Sequence, residues 1–487
     1  MNFKLRNLVA ATLAGSFLMG FGVNAMADST TDIVNALVAK GVLTEEEGAL
    51  LNKGREGEAA GQAKALKKAG RVTVSDAIDN IELTGDVRAR YEYRDASGVS
   101  TATTANSKED QLDRGRYAWH LGVKSTAGDF FTELRLASNS SSRSPNVDFA
   151  KSDLNGTNSK TTGAVYVDRA YVGWNVMPWA TVIAGRMENQ NYTSVLTWDK
   201  DITPEGLTEK FKYEMGDAHL FANLNQWFIQ GKRDQVTTNG VPVTKTTLQE
   251  YSFQAGVQYE LSPDSSFKIA PMYSLYAGSG TQGNLYGAFQ PGLSVGNTNA
   301  LNSYGVNGTM GVNHLKVIDV PAQFDYMYKG YGMRLWGDFA WNTEGDKRAN
   351  DAGAAYSAYT GEDKAYLIGV QVGSSPDLKT WRQQSTYWGD NKGMRKDDWS
   401  ARAWYQHIEA FALDPNQIDS DIMNAQVNME GVAISGLYML SDNAFATATY
   451  AHGSRINKNL GSGYSVDTAD VFANNYNMLQ LDLTYKF

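Results

Sequence analysis

The sequence predicts an all-β transmembrane protein, an antiparallel up-and-down β-barrel of about 18 strands, with 16 as the alternative, preceded by a short N-terminal helical segment. Three observations carry this. First, the chain ends on Leu479-Gln480-Leu481-Asp482-Leu483-Thr484-Tyr485-Lys486-Phe487, in which apolar and polar residues alternate strictly. Successive strand side chains point to opposite faces, and a membrane strand needs roughly 9–11 residues, apolar toward lipid and polar toward the lumen. Second, period-two runs recur from Ile81 onward. Third, short turns alternate with long polar segments, as in barrels with short periplasmic turns and long external loops.

Residues 1–27 read as a secretory signal peptide. Lys4 and Arg6 precede an apolar stretch from Leu8 to Phe21, and Ala25-Met26-Ala27 supplies the small-x-small pattern, which predicts cleavage after Ala27. The competing reading, a single membrane anchor, suits this stretch poorly, because it is short and interrupted by Gly15, Ser16 and Gly20. Residues 28–70 are expected to form a helical periplasmic segment or linker. Asp32 to Val38 has apolar residues at helical spacing, Gly41 suits a C-cap, and Thr44 with Glu47 makes a capping box. The Ala/Lys/Glu-rich stretch from Glu56 to Lys68 follows. The segment reads equally as a linker or as a module that associates with itself or the cell wall.

Residues 71–487 are expected to form the barrel. In the first strand Ile81, Leu83, Gly85, Val87, Ala89, Tyr91 and Tyr93 share one face, and Glu82, Thr84, Asp86, Arg88, Arg90, Glu92 and Arg94 share the other. Tyr117, Trp119, Leu121 and Val123 oppose Arg114, Arg116, His120 and Lys124 in the second, and Met333 to Trp341 repeats the pattern. Tight turns are expected at Ser125–Asp129, Met177–Trp179, Met215–Asp217, Ser262–Ser265, Lys329–Gly332, Ser374–Asp377 and Ser441–Asn443. Long segments run over Ala96–Leu112, Asn139–Gly163, Glu188–Gly206, Gly231–Thr247, Gly278–Asn313, Thr343–Asp363 and Gly453–Asn475. Seventeen strands are evident. Because both ends of the chain belong on one side, a further strand is expected within Phe411 to Ile422. Barrels of about 16–18 strands leave an aqueous channel.

Composition narrows the function. The chain carries 44 Lys+Arg and 53 Asp+Glu, a net charge of −9, and losing Lys4 and Arg6 with the signal peptide takes it to −11. Nucleic acid, which needs a basic footprint, is disfavoured as a partner. With no cysteine, disulfides, thiolate metal sites and cysteine nucleophiles are excluded. The mean hydropathy is that of a soluble protein, which a barrel tolerates because only alternate strand residues face lipid.

Several segments resemble a family of Gram-negative "putative porins": Glu188-Asn189-Gln190 leading to Trp198-Asp199-Lys200-Asp201-Ile202-Thr203-Pro204-Glu205-Gly206-Leu207, Gly85 to Glu92, Asp168 to Trp174, Arg402 to Ala410 with Asp419-Ser420-Asp421, and the C-terminal strand. The resemblance spans nearly the whole mature chain. It implies an outer-membrane channel for passive diffusion of ions and small hydrophilic solutes. It also implies lipid and lipopolysaccharide as surroundings, the barrel assembly machinery as a partner that reads the terminal Phe487, and a homotrimer as the candidate assembly. In classical porins the third long loop narrows the pore and its acids face a ladder of wall arginines. Here that loop is Glu188–Gly206, and the candidate constriction is Arg88, Arg90, Arg114, Arg116, Arg135 and Arg169 on the wall with Asp199, Asp201 and Glu205 on the loop. The plainer reading pairs these arginines with Glu82, Glu92 and Glu133.

An enzyme is not expected. His120 and His219 point to the lumen in this reading, but no His-x-x-x-His pair, nucleophile elbow or phosphate-cradling loop appears. The acidic stretch Asp414–Asp421 lacks the ligand spacing of a calcium loop. No cofactor or metal is expected. The alternative function is a structural or adhesive outer-membrane protein tethered to the envelope by its helical segment.

Overall fold

A computed structural model describes residues 78–101, 104–139, 144–149, 164–230, 236–238, 241–243, 247–279, 314–351, 357–415, 417–458, 460 and 474–487. The chain divides into two compact units, Met1–Asp76 and Ala77–Phe487. The signal peptide and helical segment expected over 1–27 and 28–70 lie outside the described residues. The second unit holds the barrel.

Its wall has sixteen staves. They are β1 Asn80–Thr101, β2 Thr104–Ala127, β3 Phe130–Asn139, β4 Ala164–Met177, β5 Ala180–Arg186, β6 Glu205–Met215, β7 Ala218–Gln230 and β8 Thr247–Ser262. Next come β9, made of Ser265–Ile269 and Met272–Ser279, and β10, made of Lys316–Asp319 and Ala322–Tyr328. The rest are β11 Tyr331–Asn342, β12 Lys364–Ser374, β13 Trp399–Ile408, β14 Met429–Met439, β15 Ala444–Arg455 and β16 Asn475–Lys486. Neighbours pair antiparallel, and β1 pairs with β16 from Asp86↔Lys486 to Ser97↔Asn475. The sheet therefore closes, and the staves have no open edge to satisfy in lipid. The breaks in β9 and β10 fall at Pro271 and Pro321, which cannot donate to the ladder; their carbonyls still accept, from Ala255 and Ala270 (both 3.1 Å).

Burial is inverted relative to a soluble fold. Leu83, Val87 and Tyr91 of β1 are exposed, whereas Arg90, Glu92 and Arg94 are 0–2% exposed. In β16, Leu481, Leu483 and Tyr485 face out while Gln480 and Thr484 are buried. An apolar exterior around a polar interior is stable only when lipid covers the outside.

The count settles at sixteen, not eighteen. The segment from Phe411 to Ile422 is not a stave, because β13 and β14 pair directly from Trp399↔Tyr438 to Ile408↔Met429. Phe411, Ala412 and Leu413 are contiguous and all buried, so no face is left for lipid, and Asp414-Pro415 interrupts any ladder. Two connections also differ from expectation. Ala96–Leu112 is not a loop but the paired end of a β1–β2 hairpin, with Thr101 opposite Thr104. Ser374–Asp377 is not a tight turn: it opens the long segment 375–398, which contains the short helix α1, Leu378–Trp381, capped by the Asp377 side chain accepting from the Thr380 amide at 2.7 Å. The other six turns fall where expected.

Candidate functional site

Three segments turn inward and narrow the lumen: the third loop (187–204), residues 375–398 at the turn end, and the seventh loop (409–428). The third loop leaves and rejoins the wall at a glycine pair, Gly185 opposite Gly206. Their φ angles are +127° and +155°, and a Cβ at either position would collide with a backbone carbonyl oxygen, that of Ala170 or that of Gln226. No other residue allows the chain to peel off so abruptly.

Polar lumen residues on the far wall hold the loop. The Tyr192 amide donates to Gln254 Oε1 (2.7 Å), Gln254 Nε2 donates to the Tyr192 carbonyl (2.8 Å), and the Tyr192 hydroxyl donates to Gln323 (2.6 Å). Ser194 Oγ donates to Asp338 (2.5 Å), and Lys268 lies 3.8 Å from the Tyr192 ring centre. From the turn end, the Tyr387 hydroxyl reaches the Ser194 and Trp198 carbonyls, each at 3.0 Å. Tyr387 is seated by an Arg402 guanidinium on its carbonyl, and Trp388 stacks on Trp404 with centroids 6.0 Å apart. Deeper support comes from Trp381, packed over Gly332, and from Arg334, which donates to the Gln384 carbonyl at 2.7 Å. Burial pushes the Tyr387 hydroxyl well above its ordinary range, so it stays a donor. The seventh loop completes the junction: Asp199 accepts from the Ser420 amide and hydroxyl (3.1 and 2.7 Å), and its own amide donates to the Gln417 carbonyl (2.6 Å).

The expected constriction residues separate into two groups. Glu92, fully buried, is the hub of the first, with Arg114 at 2.5 Å, Arg94 at 3.0 Å, Arg116 at 3.5 Å and Arg90 at 3.8 Å. Arg90 also binds Asp482 (2.7 Å) and Asp421 (2.9 Å), while Arg116 binds Asp148 (2.9 Å). Arg94 donates to Asn424 (2.7 Å), which ties the seventh loop to the network. Burial would raise the Asp421 carboxyl, but Arg90, Arg88 and Arg94 outweigh it and hold it far below its ordinary range. Asp419 goes the other way, raised by burial and by Asp199 and Asp421.

The second group surrounds a cavity of about 750 Å³. Arg88, Arg135, Arg169 and Asp201 line it; Arg90, Arg114, Arg116, Asp199 and Glu205 do not. Arg135 pairs with Asp168, and Arg169 with Glu133 (3.2 Å) and the loop acid Glu188 (2.8 Å). Glu205 pairs with Arg186 (2.6 Å). Thus Arg169–Glu188 is a wall–loop pair of the expected kind, whereas Asp199 serves the loop–loop junction. Arg94, Arg186, Lys200, Tyr387 and Lys486 were missing from the expected set. Arg94 and Lys486 lie on the polar register of their strands, which is the signal that would have found them. His120 sits on Asp86 (3.1 Å), and His219 on Glu214 and Glu260, so both are held by carboxylates. Among the described residues no cluster suited to a metal appears.

Among curated proteins none matches the chain. Solved structures of similar shape include an anion-selective porin from Comamonas acidovorans (10% identity, 84% of this chain and 99% of that one, TM-score 0.41). Others are the outer-membrane channel DcaP of Acinetobacter baumannii (13%, 85% and 99%, TM-score 0.38) and OprB of Pseudomonas putida (11%, 84% and 94%, TM-score 0.44). The family described as "Putative porin" matches residues 94–303 and again 280–487, so that a closed, inside-out barrel with inward loops and a charged lumen finds its counterpart in sequence: the chain belongs to the putative porin family.

Proposed function

We infer that this porin is an outer-membrane channel through which ions and small hydrophilic solutes diffuse passively, and that its selectivity is set where the third loop meets residues 375–398. The observation that carries the reading is the polar cavity within a closed sixteen-stave wall, lined by Arg88, Arg135, Arg169 and Asp201. In this proposal Arg90, Arg114, Arg116, Asp199 and Glu205 shape the constriction by fixing wall and loops, and the four cavity residues meet the solute. The fold and family are those of a channel rather than an enzyme.

The same reading includes export through a signal peptide cleaved after Ala27, a lipid and lipopolysaccharide surround, and assembly into homotrimers. It also gives Phe487 the role of signal to the barrel assembly machinery. The finished barrel holds this residue too: its amide and carbonyl both bond Gly85 (2.9 and 3.0 Å), and its ring covers that glycine. Planar-bilayer recording on purified protein is the test. Stable open steps are expected; a protein that inserts without conducting would contradict the channel reading and favour a structural or adhesive one. Removing Phe487 is expected to lower the amount inserted in cells, and unchanged insertion would withdraw that role.

A further inference from the structure

The cavity contains cations that the ion pairs of the lumen leave over. Of its carboxylates, Asp168 pairs with Arg135, Glu188 with Arg169 and Asp482 with Arg90, Asp86 is hydrogen-bonded to His120, and Asp201 has no cation within 4.0 Å among the described residues. Asp390 directs its oxygens to the amides of Ser385 (2.7 Å) and Lys392 (3.1 Å). Among the described residues, Arg88, Lys200, Lys392 and Lys486 line the same cavity without a carboxylate within 4.0 Å. They come from four different elements: β1, the third loop, residues 375–398 and β16.

Two of these lysines are held in place. Lys200 Nζ donates to the Trp388 carbonyl (3.2 Å) and lies 5.0 Å from the centre of that indole. Lys486 Nζ donates to Asn391 Oδ1 (2.8 Å) and lies 5.1 Å from the centre of the Phe445 ring. Aromatic faces attract an ammonium group without neutralising it, and one hydrogen bond each leaves two N–H donors for another partner. Lys486 interacts first with the carboxylates of Asp390 and Asp86 and, more weakly, with the like charges of Lys200 and Lys392. Arg88 and Lys486 lie on the same face of paired strands, since Asp86 is opposite Lys486 and Arg88 is opposite Thr484. The Arg88 Nη2 donates to Asn146 (2.6 Å), while its Nε has no hydrogen-bond partner among the described residues. Like charges held together in this way are stabilised by an anion between them.

We propose that Lys200, Lys486, Lys392 and Arg88 form an anion-binding subsite in the pore, taking small oxyanions such as carboxylates or phosphate. The proposal rests on the channel reading and adds a substrate class to it. The donor set suits an oxyanion: two ammonium groups seated on rings, a third on the long stem of Lys392, and a planar guanidinium for a second oxygen. The site also explains why residues 388–392 reach into the lumen: through Trp388 and Asn391 they present both seated lysines.

The test is single-channel recording of the full protein in a potassium chloride gradient, with inorganic phosphate as the probe. Wild type is expected to reverse on the chloride side and to lose chloride conductance as phosphate is added. Lys200→Gln with Lys486→Gln is expected to cut the chloride-to-potassium permeability ratio severalfold and to abolish the phosphate effect. Lys200→Gln alone, on a loop and outside the wall ladder, should give part of both changes in a barrel that folds normally. Open steps with unaltered reversal potential and no phosphate effect in wild type would overturn the subsite and leave the channel standing. Absence of any open step would overturn the channel reading and the subsite together.

Discussion

Arg88 and Arg90 are two residues apart on one face of β1, yet they belong to different regions of the lumen. Arg90 is 2% exposed and bound by Asp482, Asp421 and Glu92. Arg88 faces the open cavity and bonds only one neutral side chain, Asn146, among the described residues. The difference comes from what enters the lumen at each height. The seventh loop brings Asp421 and Asn424 onto the Arg90–Arg94 stretch and fills it. At the level of Arg88 the third loop and residues 375–398 line a cavity instead of filling it. A lumenal arginine is therefore structural or solute-facing according to the loop above it, not according to its own strand.

The largest effect expected from breaking this division is at Glu92. Glu92→Ala leaves four guanidiniums without their shared carboxylate. Breaking a buried ion pair from one side costs about 3–5 kcal/mol, so the barrel should unfold at clearly lower temperature, read from the change in gel mobility on heating in SDS. Glu92→Gln, which keeps the shape, should fall between. Wild-type heat resistance in both variants would mean that the filled region is not held by this network.

Next is the junction between the two inward segments. Tyr387→Phe removes one hydroxyl shared between the Ser194 and Trp198 carbonyls, a net loss of about 0.5–1.5 kcal/mol. The barrel should stay intact while the third loop loosens, which would be read as higher conductance with more frequent fluctuation between levels. Steps indistinguishable from wild type would show that Tyr387 does not fix the loop.

The smallest effects are those of pH at the seventh loop, and they have opposite signs. Asp421 has a depressed carboxyl. Its stabilising contribution is full above the unfolded value of about 4 and is lost as pH falls below it. Asp419 has a raised carboxyl. Its contribution is present below the unfolded value and is lost as pH rises through the raised one. Asp421→Asn should therefore flatten the acid arm of a melting-temperature profile, and Asp419→Asn the decline that sets in as pH rises above about 4. The Asp419 oxygen that accepts from the Asp421 and Ile422 amides (both 2.9 Å) has an equivalent in asparagine. If Asp419→Asn instead steepens that decline, the assignment of the raised carboxyl is wrong.

The wall could be read from sequence because lipid imposes a strict rule, alternation with period two, which Leu479 to Phe487 and Ile81 to Arg94 obey without exception. The inward segments follow no such rule. Residues 375–398 follow Ser374 with Ser375-Pro376-Asp377, an ordinary turn signal, and only the contacts of Trp381, Tyr387 and Trp388 with β11, the third loop and β13 show that the chain continues into the lumen. Phe411-Ala412-Leu413 looks like a short strand, because hydrophobicity alone does not distinguish a lipid-facing run from one buried under a loop. The lumenal arginines were identified by their register, but their division into filled and open regions depends on Asp421 and Asn424, more than 300 positions away in sequence. Lys486 was in plain view on the polar face of the last strand. Its relevance appears only when Asn391 and Phe445 are seen to hold it.

The central claim is that one strand face serves two regions, and the most direct measurement compares Arg88→Gln with Arg90→Gln in parallel, recording both the heat-modification temperature and the reversal potential. The account predicts a crossed result: Arg88→Gln shifts the reversal potential toward cations at unchanged heat resistance, and Arg90→Gln lowers heat resistance at unchanged reversal potential. If both variants move the same property, or if Arg90→Gln alone changes selectivity, the division of the lumen into a filled and an open region is contradicted.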